Sequence, residues 1–314
     1  MSYWKKKAAI LLRGQTTVKV FAPAKVNLTL HVTGQRRDGY HILDSLVAFA
    51  PFGDTLTIRK AKTLTLTVEG PERLDVPEDM ENLVLRVARM LSDDRAASIV
   101  LTKNIPAASG IGGGSADAAA ALRGLLLFWR MGDMAKMADD DLRPYAAQLL
   151  ELGADIPMCM MSSPARVGGI GEKVNPLPGL PPLPALLVNP RLPVSTAQVF
   201  RELRPKISPP MPEVLPTFAG VTDCVDWLAK QRNDLQATAL KLQPGIAQVL
   251  DSLARSDNVL LTRMSGSGAT CFGLFPDKVS AIVAGEFIRR DHPEWWVSAG
   301  VLGDQKAKSM PEVS

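Results

Sequence analysis

The stretch IPAASGIGGGSADAAAAL, residues 105–122, sets four glycines, Gly110, Gly112, Gly113 and Gly114, directly ahead of an alanine run. Lacking Cβ atoms, these residues let the chain turn tightly and bring backbone N–H groups close to a ligand. Ser115 is expected as the N-cap of a helix over residues 116–127, so that the open donors of its first turn point back into the loop. Such a mouth attracts phosphate, although a plain strand-to-helix connection fits the loop alone equally well. Neither common nucleotide loop is spelled here. No lysine follows the glycines as in G-x-x-x-x-G-K-[ST], and Ser115 falls where G-x-G-x-x-G needs its third glycine.

The chain around this loop has 314 residues, 46% hydrophobic and 22% charged, the balance of a soluble globular protein of about two domains. A net charge of +4, from 36 basic against 32 acidic residues, is a small excess that suits a phosphorylated small substrate as well as nucleic acid. Cys159, Cys224 and Cys271 lie far apart, with no C-x-x-C pair and no nearby histidine. That pattern fits buried, reduced thiols in a cytoplasmic protein better than a zinc site. The start, MSYWKKKAAILLRGQ, carries a basic cluster and an apolar run closed by Arg13, too short for a secretory signal, and is expected to lead into the first strand. No segment offers the roughly 18 uninterrupted apolar residues of a membrane span.

Residues 16–34 alternate in period two with β-branched side chains and are interrupted by Pro23, which predicts strands with a break or bulge between them. DTLTIRKAKTLTLTVEG, residues 54–70, alternates more cleanly and predicts a strand pair. ENLVLRVARMLSD places Leu83, Val87 and Met90 on one helical face, and ASIVLTKNIP is a further strand. This mixture favours α+β over a regular doubly wound sheet. Six prolines between Asn175 and Arg191 exclude a helix and suggest a crossing between domains, though ALLVNP within them fits a strand. Helical runs are expected over Val225–Leu242 and Gly245–Ser256, followed by a strand, a second glycine turn and a returning strand in NVLLTRMSGSGATCFGLFP.

Several polar residues occur where a plain scaffold would not need them. Lys25 and Asn27 share one face of their strand, with Val26 and Leu28 on the other, as a solvent-facing strand side would also have them. Tyr40 and His41 follow a D-G turn and offer an aromatic face beside an imidazole, an arrangement equally ordinary for a turn. Asp155 sits between a helix end at Gly153 and the apolar IPMCMM, where an acid is expected to be buried and therefore capped, paired or used.

Taken together, PAKVNLTLHVTGQRRDGYH, PAASGIGGGSADAAAAL with GADIPMCM, and MSGSGATCFGLF occur in the order and at the approximate separations of the GHMP kinase superfamily, which the chain resembles over roughly residues 18–275. Within it, RRDGYH and the triple glycine before Ser115 are similar to the 4-diphosphocytidyl-2-C-methyl-D-erythritol kinase family of non-mevalonate isoprenoid synthesis. The resemblance implies a two-domain α+β fold. Residues 1–178 would form an N-terminal nucleotide-binding domain like the second domain of ribosomal protein S5, and residues 179–314 a C-terminal α+β domain, with the site in the cleft between them.

By position, the resemblance makes Lys25 and Asp155 the catalytic pair and Asn27 a nearby substrate contact. The ATP phosphate loop would be Pro106, Ala107, Ala108, Ser109, Gly110, Ile111, Gly112, Gly113, Gly114, Ser115 and Ala116. Tyr40 would stack on cytosine, His41 would hydrogen-bond it, Phe200 would cover its other face, and Asn82 would contact adenine. Ser109 and Ile111 replace a glycine and a leucine of many relatives, and Ala116 with Asp117 replaces a serine pair or Ser-Asp. A Mg2+ contact would therefore rest on Ser115 alone. The implied activity is ATP-dependent phosphorylation of the C2 hydroxyl of the cytidyl substrate, by a cytoplasmic monomer or weak homodimer with neither nucleic-acid nor membrane partners. The competing expectations are a mevalonate- or homoserine-type kinase, disfavoured by DGYH, and an S5-like RNA-binding module. An RNA-binding face would want clustered basic residues and exposed aromatics, whereas here the basic residues are scattered and 5% of the chain is aromatic.

Overall fold

The computed structural model describes residues 17–130 and 145–314, so the expected N-terminal leader lies outside the described residues. The first sheet begins with β1 (Val18–Asn27), β2 (His31–Gln35) and β3 (His41–Arg59), and continues with β4 (Thr65–Glu69), β5 (Ser98–Thr102), β6 (Ala165–Gly169) and β7 (Lys173–Pro176). The long β3 serves as its spine: β2 and β6 flank its first half, and β1 and β5 flank its second, all antiparallel. Residues 54–70 do yield two strand segments, but not a hairpin. β5 inserts between them, antiparallel to β3 and parallel to β4, because its apolar Ile99 and Leu101 complete both neighbours.

Pro23 leaves β1 continuous. It forces a register shift in which Pro23 faces Gly53 and Lys25 faces Phe49, and such a bulge re-aims the side chains that follow it. Past the bulge, Val26 and Leu28 enter an apolar cluster shared with the second sheet, and Lys25 and Asn27 point to the other side. That other side is not solvent, since Lys25 is 3% and Asn27 5% exposed.

Helix α1 (Leu83–Leu91) buries Val84, Leu85, Val87, Ala88 and Leu91, so Val87 lies at the centre of the buried face while Leu83 and Met90 flank it. Helix α2 (Gly113–Phe128) starts before its expected first residue. Gly112, at φ +66°, is its cap residue, and Ser115 stands inside the first turn. The helix is buried on every side, from Ala116 to Leu127, as an alanine- and leucine-rich segment with almost no polar face must be. Short α3 (Ala146–Leu152) and α4 (Ile156–Met161) follow, with α4 packed on α2.

The proline-rich segment contains β8 (Leu183–Asn189), which is buried throughout and stands inside the second sheet. This sheet runs β11–β8–β10–β9, with β9 at Leu261–Met264, β10 at Cys271–Leu274 and β11 at Trp296–Leu302. Its helices are α5 (Thr196–Glu202), α6 (Val221–Ala229), α7 (Gln236–Leu242), α8 (Gly245–Ala254), α9 (Lys278–Asp291) and the single turn α10 (Lys306–Ser309). The helix expected over Val225–Leu242 is thus broken into α6 and α7. Asn233 is the reason: its amide donates to the carbonyls of Met264 and Gly266, both at 2.8 Å, and its carbonyl oxygen accepts from Leu235 N–H. Finally the chain returns to the first sheet, where β12 (Glu312–Val313) pairs with β1. Among the described residues no helix is long and apolar enough to cross a membrane.

Candidate active site

The two glycine turns, 155 residues apart in sequence at their point of contact, lie against one another in space. Ser265 Oγ donates to Gly110 O at 3.0 Å, and Thr270 N–H donates to Ser109 O at 3.1 Å. Gly110, at φ +77°, has no room for a Cβ, which would fall 2.5 Å from Ser265 O and 2.8 Å from Gly268 O. At Gly112, φ +66°, a Cβ would press to 3.0 Å on Lys25 Cε. Both positions therefore demand glycine for the backbone conformation and for the close approach. The first N–H groups of α2 open beside them, and no side chain caps them.

Ser265 also fixes the floor of the site, since its hydroxyl accepts from Asn27 N–H at 3.0 Å. Asn27 in turn donates from Nδ2 to Ser45 Oγ at 2.8 Å and accepts from Lys25 Nζ at 2.7 Å. The Lys25 ammonium is thereby aimed at Asp155, 3.0 Å away. Asp155 precedes α4, but its side chain makes no cap bond to that helix. It is also not buried: its side chain is 38% exposed, against 4% for Lys25, so the buried member of the pair is the cation.

A cavity of about 940 Å³ opens over this pair and is lined by Ala108, Ser109, Gly110, Gly112, Gly113, Gly114 and Ser115 on one side. Tyr40, His41, Phe200, Arg201 and Lys206 line it as well. The His41 and Phe200 rings lie 5.0 Å apart, and the buried His41 Nε2 has no hydrogen-bond partner. Burial first, and then the Lys206 charge, hold the imidazole below its usual pKa, so it is neutral at pH 7. Tyr40 is 58% exposed and stands at the mouth.

Not every expected residue reaches the cavity. Pro106, Ile111 and Ala116 are buried behind the loop, where the Pro106 carbonyl accepts from Ser109 Oγ and the Ile111 carbonyl from Lys25 N–H, and Ala107 faces outward. Asn82 is occupied elsewhere: it caps α1 by accepting from Val84 N–H at 2.9 Å and donates to Pro77 O at 2.7 Å. Its neighbour Leu83 lines the cavity instead.

Beneath the loop lies a group that the sequence reading did not single out. The buried Lys103 ammonium bridges Asp54 and Asp117, with Asp117 Oδ2 at 2.8 Å. Asp54 also accepts from the N–H groups of Asn104 and Ile105, which pins the entry to the loop. Two carboxylates share one cation here, and Asp117 Oδ1 is buried without a partner. Burial, reinforced by the Asp54 charge, outweighs Lys103 and pushes the Asp117 carboxyl up to about 8. A lysine immediately before the loop and an acid two residues after Ser115 were the available signal. Asp54, 49 residues from Lys103, gave none.

Comparison with known proteins accords with this architecture. Residues 82–163 match the GHMP kinases N terminal domain, and residues 223–293 match GHMP kinases C terminal. The 4-diphosphocytidyl-2-C-methyl-D-erythritol kinase of Roseobacter denitrificans is 50% identical over 297 residues, covering 95% of this chain and 97% of that protein. The protein of the same name from Dinoroseobacter shibae is 52% identical over 289 residues, covering 92% and 96%. A crystal structure of 4-(cytidine 5'-diphospho)-2C-methyl-D-erythritol kinase superposes with a TM-score of 0.71 at 32% identity, covering 91% of this chain and 99% of that one. Homoserine kinase from Cytophaga hutchinsonii shares the fold, with a TM-score of 0.66 at 19% identity. Identity and coverage at this level show that the chain belongs to the GHMP kinases and, among them, to the 4-diphosphocytidyl-2-C-methyl-D-erythritol kinase family.

Proposed function

We propose that the chain transfers the γ-phosphoryl group of ATP to the C2 hydroxyl of 4-diphosphocytidyl-2-C-methyl-D-erythritol. The observation that carries this reading is one cavity that joins the glycine-lined mouth of α2, the Lys25–Asp155 pair and the Tyr40, His41 and Phe200 rings.

Phosphoryl transfer asks a protein mainly to align the acceptor oxygen and to neutralise developing charge. The N–H groups at the start of α2 would hold the phosphates, and the left-handed backbone at Gly110 and Gly112 shapes the loop that opens them to the cavity. A tertiary alcohol is a poor acid, so a positioned base helps: Asp155 takes its proton, and the neighbouring Lys25 steadies the phosphoryl oxygens. Asn27 and Ser45 keep the Lys25 ammonium in place. Mg2+ would enter with the ATP phosphates, and the Ser115 hydroxyl, which lines the cavity at the loop, would be its protein ligand. Bound there, Mg2+ would neutralise phosphate charge.

At the other end, Tyr40 and Phe200 offer faces for a base, and the unpartnered Nε2 of a neutral His41 offers a hydrogen bond to its edge. ADP release is the test. Release should require the cytidyl substrate and fail with mevalonate or homoserine, and turnover of either alternative at a comparable rate would reject the assignment.

A further inference from the structure

Arg123 stands in the middle of α2, 3% exposed, and among the described residues its hydrogen bonds all go to backbone carbonyls. Nε donates to Ser309 O at 3.0 Å, Nη1 to Cys159 O at 3.2 Å and Met160 O at 3.4 Å, and Nη2 to Phe21 O at 3.5 Å. Burial lowers its pKa to about 10, which leaves it charged at neutral pH. Burying a cation among neutral dipoles is a costly way to gain stability, and an apolar side chain would fill the same space. What the guanidinium does accomplish is a tie between separate elements.

Those elements carry the two ends of the site's ion pair. Phe21 is on β1, four residues before Lys25, and Cys159 and Met160 form the last turn of α4, whose preceding residue is Asp155. The last carbonyls of a helix lack partners within it and favour a cation, so Arg123 fits the end of α4. The C-terminal tail closes the arrangement from outside. Gln305 N–H donates to Ser162 O at 2.8 Å, Ser163 Oγ donates to Asp304 Oδ1 at 3.0 Å, and Ser309 supplies the carbonyl that fixes Nε.

We propose that Arg123, held by the C-terminal tail, is a positioning residue that sets the placement of Asp155 against Lys25 by clamping α4 to β1. The inference rests on the role given to Asp155 above. It assigns a function to the return of the tail onto the first sheet.

A double-mutant cycle tests it on the full chain, with wild type, Arg123→Met, Asp155→Asn and the combined variant compared for kcat and both KM values. Arg123→Met should lower kcat on the order of 10- to 100-fold, the cost of a small misplacement, with both KM values nearly unchanged. In the Asp155→Asn background the same change should cost almost nothing more, and Arg123→Lys should restore part of kcat. Losses that multiply in the combined variant, or that fall on KM, overturn the positioning role while leaving the base in place. An Asp155→Asn enzyme with near wild-type turnover removes the base itself, and the inference with it. Should Arg123→Met not fold, Asp304→Ala removes the Ser163 tie at the exposed surface. A drop in kcat that vanishes in Asp155→Asn supports the clamp, and wild-type kcat overturns it.

Discussion

The Lys25 ammonium meets the Asp155 carboxylate at 3.0 Å from a buried side chain, while the carboxylate itself is more than a third exposed. The geometry is that of a fixed cation beside an accessible carboxylate. Asp155→Asn should therefore reduce turnover by roughly 10² to 10⁴, with ATP and substrate binding within a few fold. Lys25→Met should be impaired similarly in kcat, because the role proposed for the amine is to serve charge that develops during transfer. Steady-state kinetics decide between roles: a rise in the ATP KM alone would make Lys25 a binding residue only.

The loop offers a second test at Gly112, where φ is +66° and a Cβ would crowd Lys25 Cε. An alanine in the left-handed region costs about 1–2 kcal/mol, so Gly112→Ala should fold with a slightly lowered Tm. Its kcat should fall further than its stability, because the new methyl displaces the lysine. Circular dichroism and kinetics on the same sample check this, and wild-type kcat in a folded variant would separate the loop from the lysine.

These two sites were legible to different degrees. The α2 mouth, the pairing of β9 with β10 and the shared face of Lys25 and Asn27 follow from local signals: glycine before helix formers, alternation about a turn, spacing two on a strand. Long-range pairing was not readable in that way. Nothing in residues 54–70 says that β5 will separate their two strands, and nothing in Glu312–Val313 points to β1. Asn233 breaks a helix to hold a turn more than thirty residues away, and that competing bond is invisible to helical periodicity. The Lys103 group escaped for the same reason, since its two acids come from different elements.

That group carries a pH prediction. The folded Asp117 pKa, about 8, lies above its ordinary 3.8, so the folded state binds the proton more tightly than the unfolded one. The resulting stability is fully present below about pH 4 and is lost as pH rises through about 8. Asp117→Asn mimics the protonated form and should flatten this decline. Thermal melts from pH 5 to 9 should show the variant gaining on wild type as pH rises, whereas a constant difference would mean that Asp117 does not titrate in this window.

Substrate identity is tested at the aromatic end of the cavity. Stacking a base on an aromatic ring is worth about 1–3 kcal/mol, so Tyr40→Ala should raise the substrate KM by about 5- to 150-fold and leave the ATP constant nearly unmoved. His41→Ala should narrow the preference for the cytidyl over the uridyl form, because the edge that leaves a buried polar atom unpaired is what rejects the wrong base. Wild-type KM and preference in both variants would detach the base from this pocket.

Phosphorus NMR of the products follows the proposed transfer itself. With ATP, Mg2+ and 4-diphosphocytidyl-2-C-methyl-D-erythritol, one new phosphomonoester signal should appear on the intact cytidyl diphosphate for each ADP formed, and it should be lost in Asp155→Asn. Inorganic phosphate accumulating with ADP, or a phosphate placed on any hydroxyl other than C2, would contradict it.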